Sequence, residues 1–130
     1  MKLVSIVSSG KKVGSGHLGR TLKLVDYFKN QNKKLENIFI TNNNDAKSTL
    51  VKKKIKHYKI DFGKGSKLLT KLEQIKPFFI IIDTYMLKDE IKKKIYENFK
   101  NILVIDDDLK NKHFCKYYLN YNLLKKEHLK

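Results

Sequence analysis

The chain is predicted to fold as an α/β domain in which helices cover both faces of a mostly parallel sheet. Three observations carry this. Short apolar runs alternate with amphipathic segments along the chain, the pattern of repeated strand–helix–strand units. The run Phe78-Phe79-Ile80-Ile81-Ile82 is apolar throughout, as a central parallel strand buried on both faces must be. A glycine-rich stretch, Val13–Arg20, stands between an apolar strand and a helical pattern, where glycine lets backbone come close to a ligand. With 41% hydrophobic content in 130 residues, there is material for one core. The reading is a single Rossmann-like domain over residues 1–124, followed by a basic tail over 125–130.

Taken in order, Leu3–Val7 reads as the first strand, His17–Gln31 as a helix and Asn37–Thr41 as the second strand. Asp45–Lys56 reads as a weak helix with Leu50, Val51 and Ile55 on one face. His57–Asp61 is a short strand before the loop Phe62–Ser66, whose Gly63 and Gly65 precede a helix carrying Leu68, Leu69, Leu72 and Ile75. Pro77 ends that helix, because proline lacks an amide hydrogen and crowds the preceding turn. After Phe78–Ile82 comes a helix over Lys88–Phe99, with Ile91, Ile95 and Phe99 at helical spacing. Ile102–Ile105 is the next strand, and a last short one lies near Tyr117–Leu119. Five or six strands are expected, with Leu3–Val7, Phe78–Ile82 and Ile102–Ile105 central.

The formal charge of +16 invites a polyanion as partner, but its make-up argues otherwise: Arg20 is the only arginine among 29 cations. Proteins that read bases and phosphates lean on the bidentate arginine fork. The lysine runs Lys52–Lys54, Lys92–Lys94 and Lys125–Lys126 also fall on different predicted elements. They read as solvated faces, and no nucleic-acid partner is expected. No stretch approaches the roughly 20 apolar residues of a membrane span, so no membrane partner is expected either. The apolar run Leu3–Val7 is too short for a signal peptide. Cys115 is alone, which excludes a disulfide framework and fits a reducing, cytoplasmic location.

In parallel sheets ligands bind beyond the carboxyl ends of the strands. The sequence puts Ser8, Ser9 and the glycine loop there after the first strand. Asp83, Thr84 and Tyr85 follow the apolar fourth strand, and Asp106, Asp107 and Asp108 follow the fifth. His17 falls where the helix begins, flanked by Gly14, Ser15 and Gly16, with Arg20 three residues on and on the same side. Gly14, Gly16 and Gly19 satisfy G-x-G-x-x-G, which suggests a nicotinamide cofactor. Yet Ser8–Val13 separate the pattern from its strand, and Thr41 with three asparagines stands where that fold needs an acidic residue for the ribose. Blander roles exist for each residue. His17 reads alternatively as a helix-start turn, Asp83 as a strand-end turn former, and Asp106–Asp108 as turn residues or a divalent-ion cluster. Cys115 reads as a buried small residue rather than a nucleophile. His57, His113 and His128 show no ligand spacing.

Four motifs occur in one order: Gly-Ser-Gly-His-x-x-Arg after the first strand, Asp83-x-Tyr85 after the fourth, Ile105-Asp106-Asp107 after the fifth, and Cys115-x-x-x-Leu119-Asn120-x-Asn122 near the end. In these the chain resembles the N-terminal half of the UDP-2,4-diacetamido-2,4,6-trideoxy-β-L-altropyranose hydrolases of pseudaminic acid biosynthesis. That family is itself similar to the spore-coat polysaccharide biosynthesis G protein. The resemblance implies the N-terminal domain of a GT-B glycosyltransferase fold, and a reaction that transfers the sugar to water and releases UDP. It implies His17 as general base and Tyr85 as the tyrosine lining the sugar. Gly14, Ser15, Gly16, Arg20, Asp83 and Asp106 are the implied substrate-binding positions. No cofactor and no metal ion is expected. Family members continue into a second domain that holds most of the UDP, whereas here only Leu123–Lys130 follow. The expected partner besides the UDP-sugar is therefore a separate nucleotide-binding domain or a second copy. The alternative is a non-catalytic binding module or a truncated relic.

Overall fold

A computed structural model describes residues 1–8, 16–106 and 114–120, with the side chains of Gly16 and His17 outside the description. Six strands form one sheet in the order β3-β2-β1-β4-β5-β6, and every pairing is parallel. The strands are β1 (Lys2–Val7), β2 (Glu36–Thr41), β3 (Lys56–Lys59), β4 (Phe79–Asp83), β5 (Ile102–Asp106) and β6 (Tyr117–Asn120). Between them run α1 (Gly16–Gln31), α2 (Lys47–Lys52), α3 (Gly65–Ile75) and α4 (Asp89–Phe99). The α/β expectation holds, and this order is that of doubly wound nucleotide-binding sheets, which reverses direction between β1 and β4.

The two faces follow from strand alternation. Val4, Ile6, Ile38, Ile40, Ile80, Ile82, Ile102 and Val104 pack against Leu68, Leu72 and Ile75 of α3 and Ile95 of α4. Leu3, Val7, Phe39, Ile81 and Ile105 point the other way, to Leu18, Leu22 and Val25 of α1 and Leu50 of α2. β4 must serve both cores, which is why its sequence has no polar position before Asp83. Each such side chain fully removed from water contributes about 1.5–3 kcal/mol before ordering costs.

Several boundaries differ from the sequence reading, each for a local reason. Phe78 lies before β4 and is 56% exposed; its amide donates to the Lys2 carbonyl at 2.9 Å, at the amino edge of the sheet. The weak helix shrinks to Lys47–Lys52, because Lys54 takes a positive φ of 56° and turns the chain into β3. Only Leu50 of its expected apolar face is buried, and Val51 is 56% exposed. β3 covers Lys56–Lys59 rather than His57–Asp61. α3 ends one step before the proline: Lys76 adopts the left-handed conformation and its amide bonds to the Leu72 carbonyl at 2.9 Å. Pro77 then follows the cap, where it commonly stands. α4 starts at Asp89, and the last strand reaches Asn120.

The Phe62–Ser66 segment has a packing role. Gly65 is the first residue of α3 and is buried. A Cβ there would stand 2.1 Å from Ile91 Cδ1 and 2.6 Å from Ile91 Cγ1 on the neighbouring α4 segment. Two helices on one face meet through this glycine. Gly65→Ala should therefore destabilise the fold by about 1–3 kcal/mol through overpacking. In a double-mutant cycle read by urea denaturation, Ile91→Ala should recover part of that loss; strictly additive costs would place the strain elsewhere.

Candidate functional site

Buried polar residues concentrate at the carboxyl edge of the sheet. Ser8 after β1, Thr41 closing β2, Asp83 and Thr84 at the end of β4, Asp106 closing β5 and Asn120 closing β6 are all buried. Ladder hydrogen bonds run out there, so backbone and side-chain polar groups must satisfy one another.

The centre of this edge is Asp83, with no solvent exposure. Its Oδ2 accepts from Arg20 Nε at 2.9 Å and its Oδ1 from Arg20 Nη2 at 2.5 Å, a bidentate pair. Oδ2 also accepts from the Thr21 hydroxyl at 2.7 Å. The Arg20 side chain is 11% exposed, so the pair is nearly dry and its attraction is weakly screened. Arg20 and Thr21 belong to the second turn of α1; Asp83 thus fastens the start of that helix to the end of β4. The first turn of α1 carries no acidic residue. The positive end of its dipole is therefore not neutralised from within that turn.

A second tie joins β1 to β4. The Ser8 and Thr84 hydroxyls are hydrogen-bonded to each other, and the Ser8 amide reaches the Asp83 carbonyl at 3.4 Å. The Thr84 hydroxyl also accepts the Met86 amide at 3.0 Å, shaping the turn that presents Tyr85 and Met86, 44% and 51% exposed. Asn42, after β2, donates to Met86 Sδ at 3.2 Å, and the Thr41 hydroxyl donates to the Asn43 carbonyl at 3.0 Å. The loops after β2 and β4 thereby meet at the carboxyl edge.

The sequence-predicted residues divide as follows. Arg20, Asp83, Tyr85 and Asp106 all lie at the carboxyl edge, with Arg20 and Asp83 in direct contact. Gly16 opens α1 and His17 follows, one turn before Arg20 and Thr21. Gly14, Ser15, Asp107 and Asp108 lie outside the described residues, as does the His17 side chain. Sequence reasoning missed Thr21, Ser8 as a tie and Thr84. Hydroxyls beside a strand end are too common to stand out, and only the fold brings them within reach of Asp83 and of each other. Cys115 is half-buried, and burial pushes its thiol up from the ordinary range, which disfavours a nucleophilic thiolate.

Gly19 bears on the dinucleotide pattern. In that fingerprint the third glycine permits close packing of helix on strand. Here a Cβ on Gly19 meets nothing within 4 Å, so the glycine has no such packing reason.

No family model matches the chain, and no curated protein matches it. Among solved structures, MurG of Acinetobacter baumannii superposes with a TM-score of 0.62 at 14% identity, over 83% of this chain and 35% of that chain. The chain thus spans about a third of the length of that MurG. At this identity the likeness shows the fold alone, a Rossmann-like α/β domain with a parallel sheet.

Two stability measurements check this geometry. Asp83→Asn removes the carboxylate that Arg20 meets bidentately in this nearly dry site and should cost about 3–5 kcal/mol, seen as a lower urea midpoint at unchanged slope. Gly19→Ala should do the reverse, stabilising α1 by about 0.5–1 kcal/mol; a loss there would mean that the glycine is needed for close approach after all.

Proposed function

We propose that the chain is the catalytic, N-terminal half of a UDP-sugar hydrolase, releasing UDP from a UDP-diacetamido-trideoxy sugar in nonulosonate biosynthesis of the pseudaminic acid type. The observation that carries the reading is the pinning of α1. Its first turn, which contains Gly16 and His17, starts at the carboxyl edge beside the point where the strand order reverses. Arg20 and Thr21, one turn later, are held by buried Asp83. Ligands of open α/β sheets bind at that reversal, and anions favour helix N-termini. The GT-B-like fold supports a nucleotide-sugar as the ligand, and the four-motif resemblance narrows it to this reaction.

In this reading His17 takes a proton from water as the oxygen attacks the anomeric carbon. An imidazole suits that task near neutral pH. The bond from that carbon to the phosphate oxygen breaks, and UDP departs with the electron pair. Gly14, Ser15 and Gly16 offer backbone amides to the departing phosphate, where charge develops. Tyr85, exposed on the rim, lines the sugar. Asp83 and Arg20 act as positioning residues that fix the angle of α1, and Asp106 supports the neighbouring strand end. A nucleotide-binding domain, separate or from a second copy, grips the rest of the UDP.

UDP release from the altropyranose substrate, by the chain together with such a domain, tests the reading. His17→Asn keeps size and polarity and removes the titrating nitrogen, so the rate should fall roughly 10²–10⁴-fold with circular dichroism unchanged. Asp106→Asn should cost less. An undiminished rate in folded His17→Asn would remove the histidine from the mechanism. UDP-sugar binding without any turnover would leave a binding module.

A further inference from the structure

A subset of the lysines is brought together by the fold at one edge of the sheet. The segment Lys52–Lys76 contains nine lysines against two acidic residues, Asp61 and Glu73. Lys56 belongs to β3, which is the outermost strand of the sheet, and shares the α3 face with Tyr58; Lys59, in register with Thr41, points to the other face. Lys64 precedes α3, and Lys67 and Lys71 lie on it; their spacing of three and then four residues puts all three on one stripe of the helix. The strand and the helix converge at Tyr58, whose ring centroid is 5.8 Å from Lys56 Nζ and 4.3 Å from Lys71 Nζ. Ser66, Thr70 and Gln74 share a shallow depression with Lys67 and Lys71. Among the described residues, neither Lys56 nor the three lysines of the α3 stripe forms an ion pair.

Lysines on an edge strand guard against edge-to-edge pairing, and this accounts for Lys56 and Lys59. It does not account for the stripe on α3, a helix that covers a sheet face. Like charges at these helical spacings lower helix stability, and among the described residues no ion pair offsets the stripe, though Lys71 rests over the Tyr58 ring.

We propose that the β3 edge and the α3 stripe form a surface for the phosphate backbone of a nucleic acid, bound without sequence readout. Lysines from two elements match a line of phosphates as point charges. Base readout is not the expected mode, because the surface has no arginine and Gln74 is its one amide side chain. The ring of Tyr58 is already occupied by two ammonium groups, so base stacking is not its role. An anionic lipid surface fits less well: interfacial docking uses bulky apolar side chains beside the cations, and here only Val51, at the margin, is a large exposed hydrophobe. This surface is independent of the hydrolase reading.

The test is binding of the whole chain to a fluorescent oligothymidylate of about 20 nucleotides across a salt series, where about four phosphate contacts predict a log–log slope of about −2.8. Lys64→Gln, Lys67→Gln and Lys71→Gln combined should weaken binding roughly tenfold or more at low salt and flatten the slope by about 2. A control with the same charge loss elsewhere, Lys33→Gln, Lys34→Gln and Lys93→Gln combined, should leave the slope nearly unchanged. Circular dichroism confirms that both variants fold. Equal weakening by the two sets would show that net charge alone drives binding and would overturn the proposal. So would failure to bind the oligonucleotide, including the case in which the chain instead binds equimolar phosphatidylserine–phosphatidylcholine vesicles.

Discussion

Asp83 is a carboxylate sealed from water at the end of the most apolar strand, and the carboxyl edge is organised around discharging its cost. Burying an unpaired carboxylate is prohibitive. Here a bidentate guanidinium and a threonine hydroxyl, both from α1, meet it. The requirement works in both directions. The helix can dock only where Arg20 and Thr21 reach Asp83, and β4 can end in a buried aspartate only because α1 is there. The arrangement gains little net stability over an apolar equivalent, but it specifies one position for α1.

That position matters because of where β1 and β4 sit. They are the two central strands, and the connection from β3 through α3 to β4 takes the chain to the opposite face of the sheet. Helices on opposite faces leave a crevice at the carboxyl ends between those two strands. The Ser8–Thr84 tie closes the base of this crevice, while the turns carrying Asn42 and Met86 form part of its rim. The strand ends and α1 supply the frame; Tyr85 lies on the turn after β4, and His17 stands in the first turn of α1. Precise placement of reactive groups depends on such support.

The outer surface follows a different rule. Most lysines face water and tolerate one another through hydration and screening, and the α4 pair Lys94–Glu90, at 3.6 Å, is exposed and weak. Only where neighbouring elements converge, as at Tyr58, does sequence-distant charge accumulate into a field with direction.

The sequence alone determined the class of fold, because periodicity is a local property: the apolar run of β4 and the alternation of strands and helices are written in neighbouring residues. It also put Arg20, Asp83, Tyr85 and Asp106 at strand or helix ends on one edge. Boundaries that depend on a single left-handed residue, such as Lys54 and Lys76, were not legible, since nothing in a lysine announces a positive φ. Only the tertiary structure decided that Asp83 belongs to Arg20 and Thr21, about sixty residues away along the chain. It alone decided that Gly65 rather than Gly19 is the glycine demanded by packing, and that lysines of β3 and α3 share one surface. The reason is common to all three. Pairing across a sheet and packing between helices depend on distances that strand order sets, and strand order is not a periodicity of the chain.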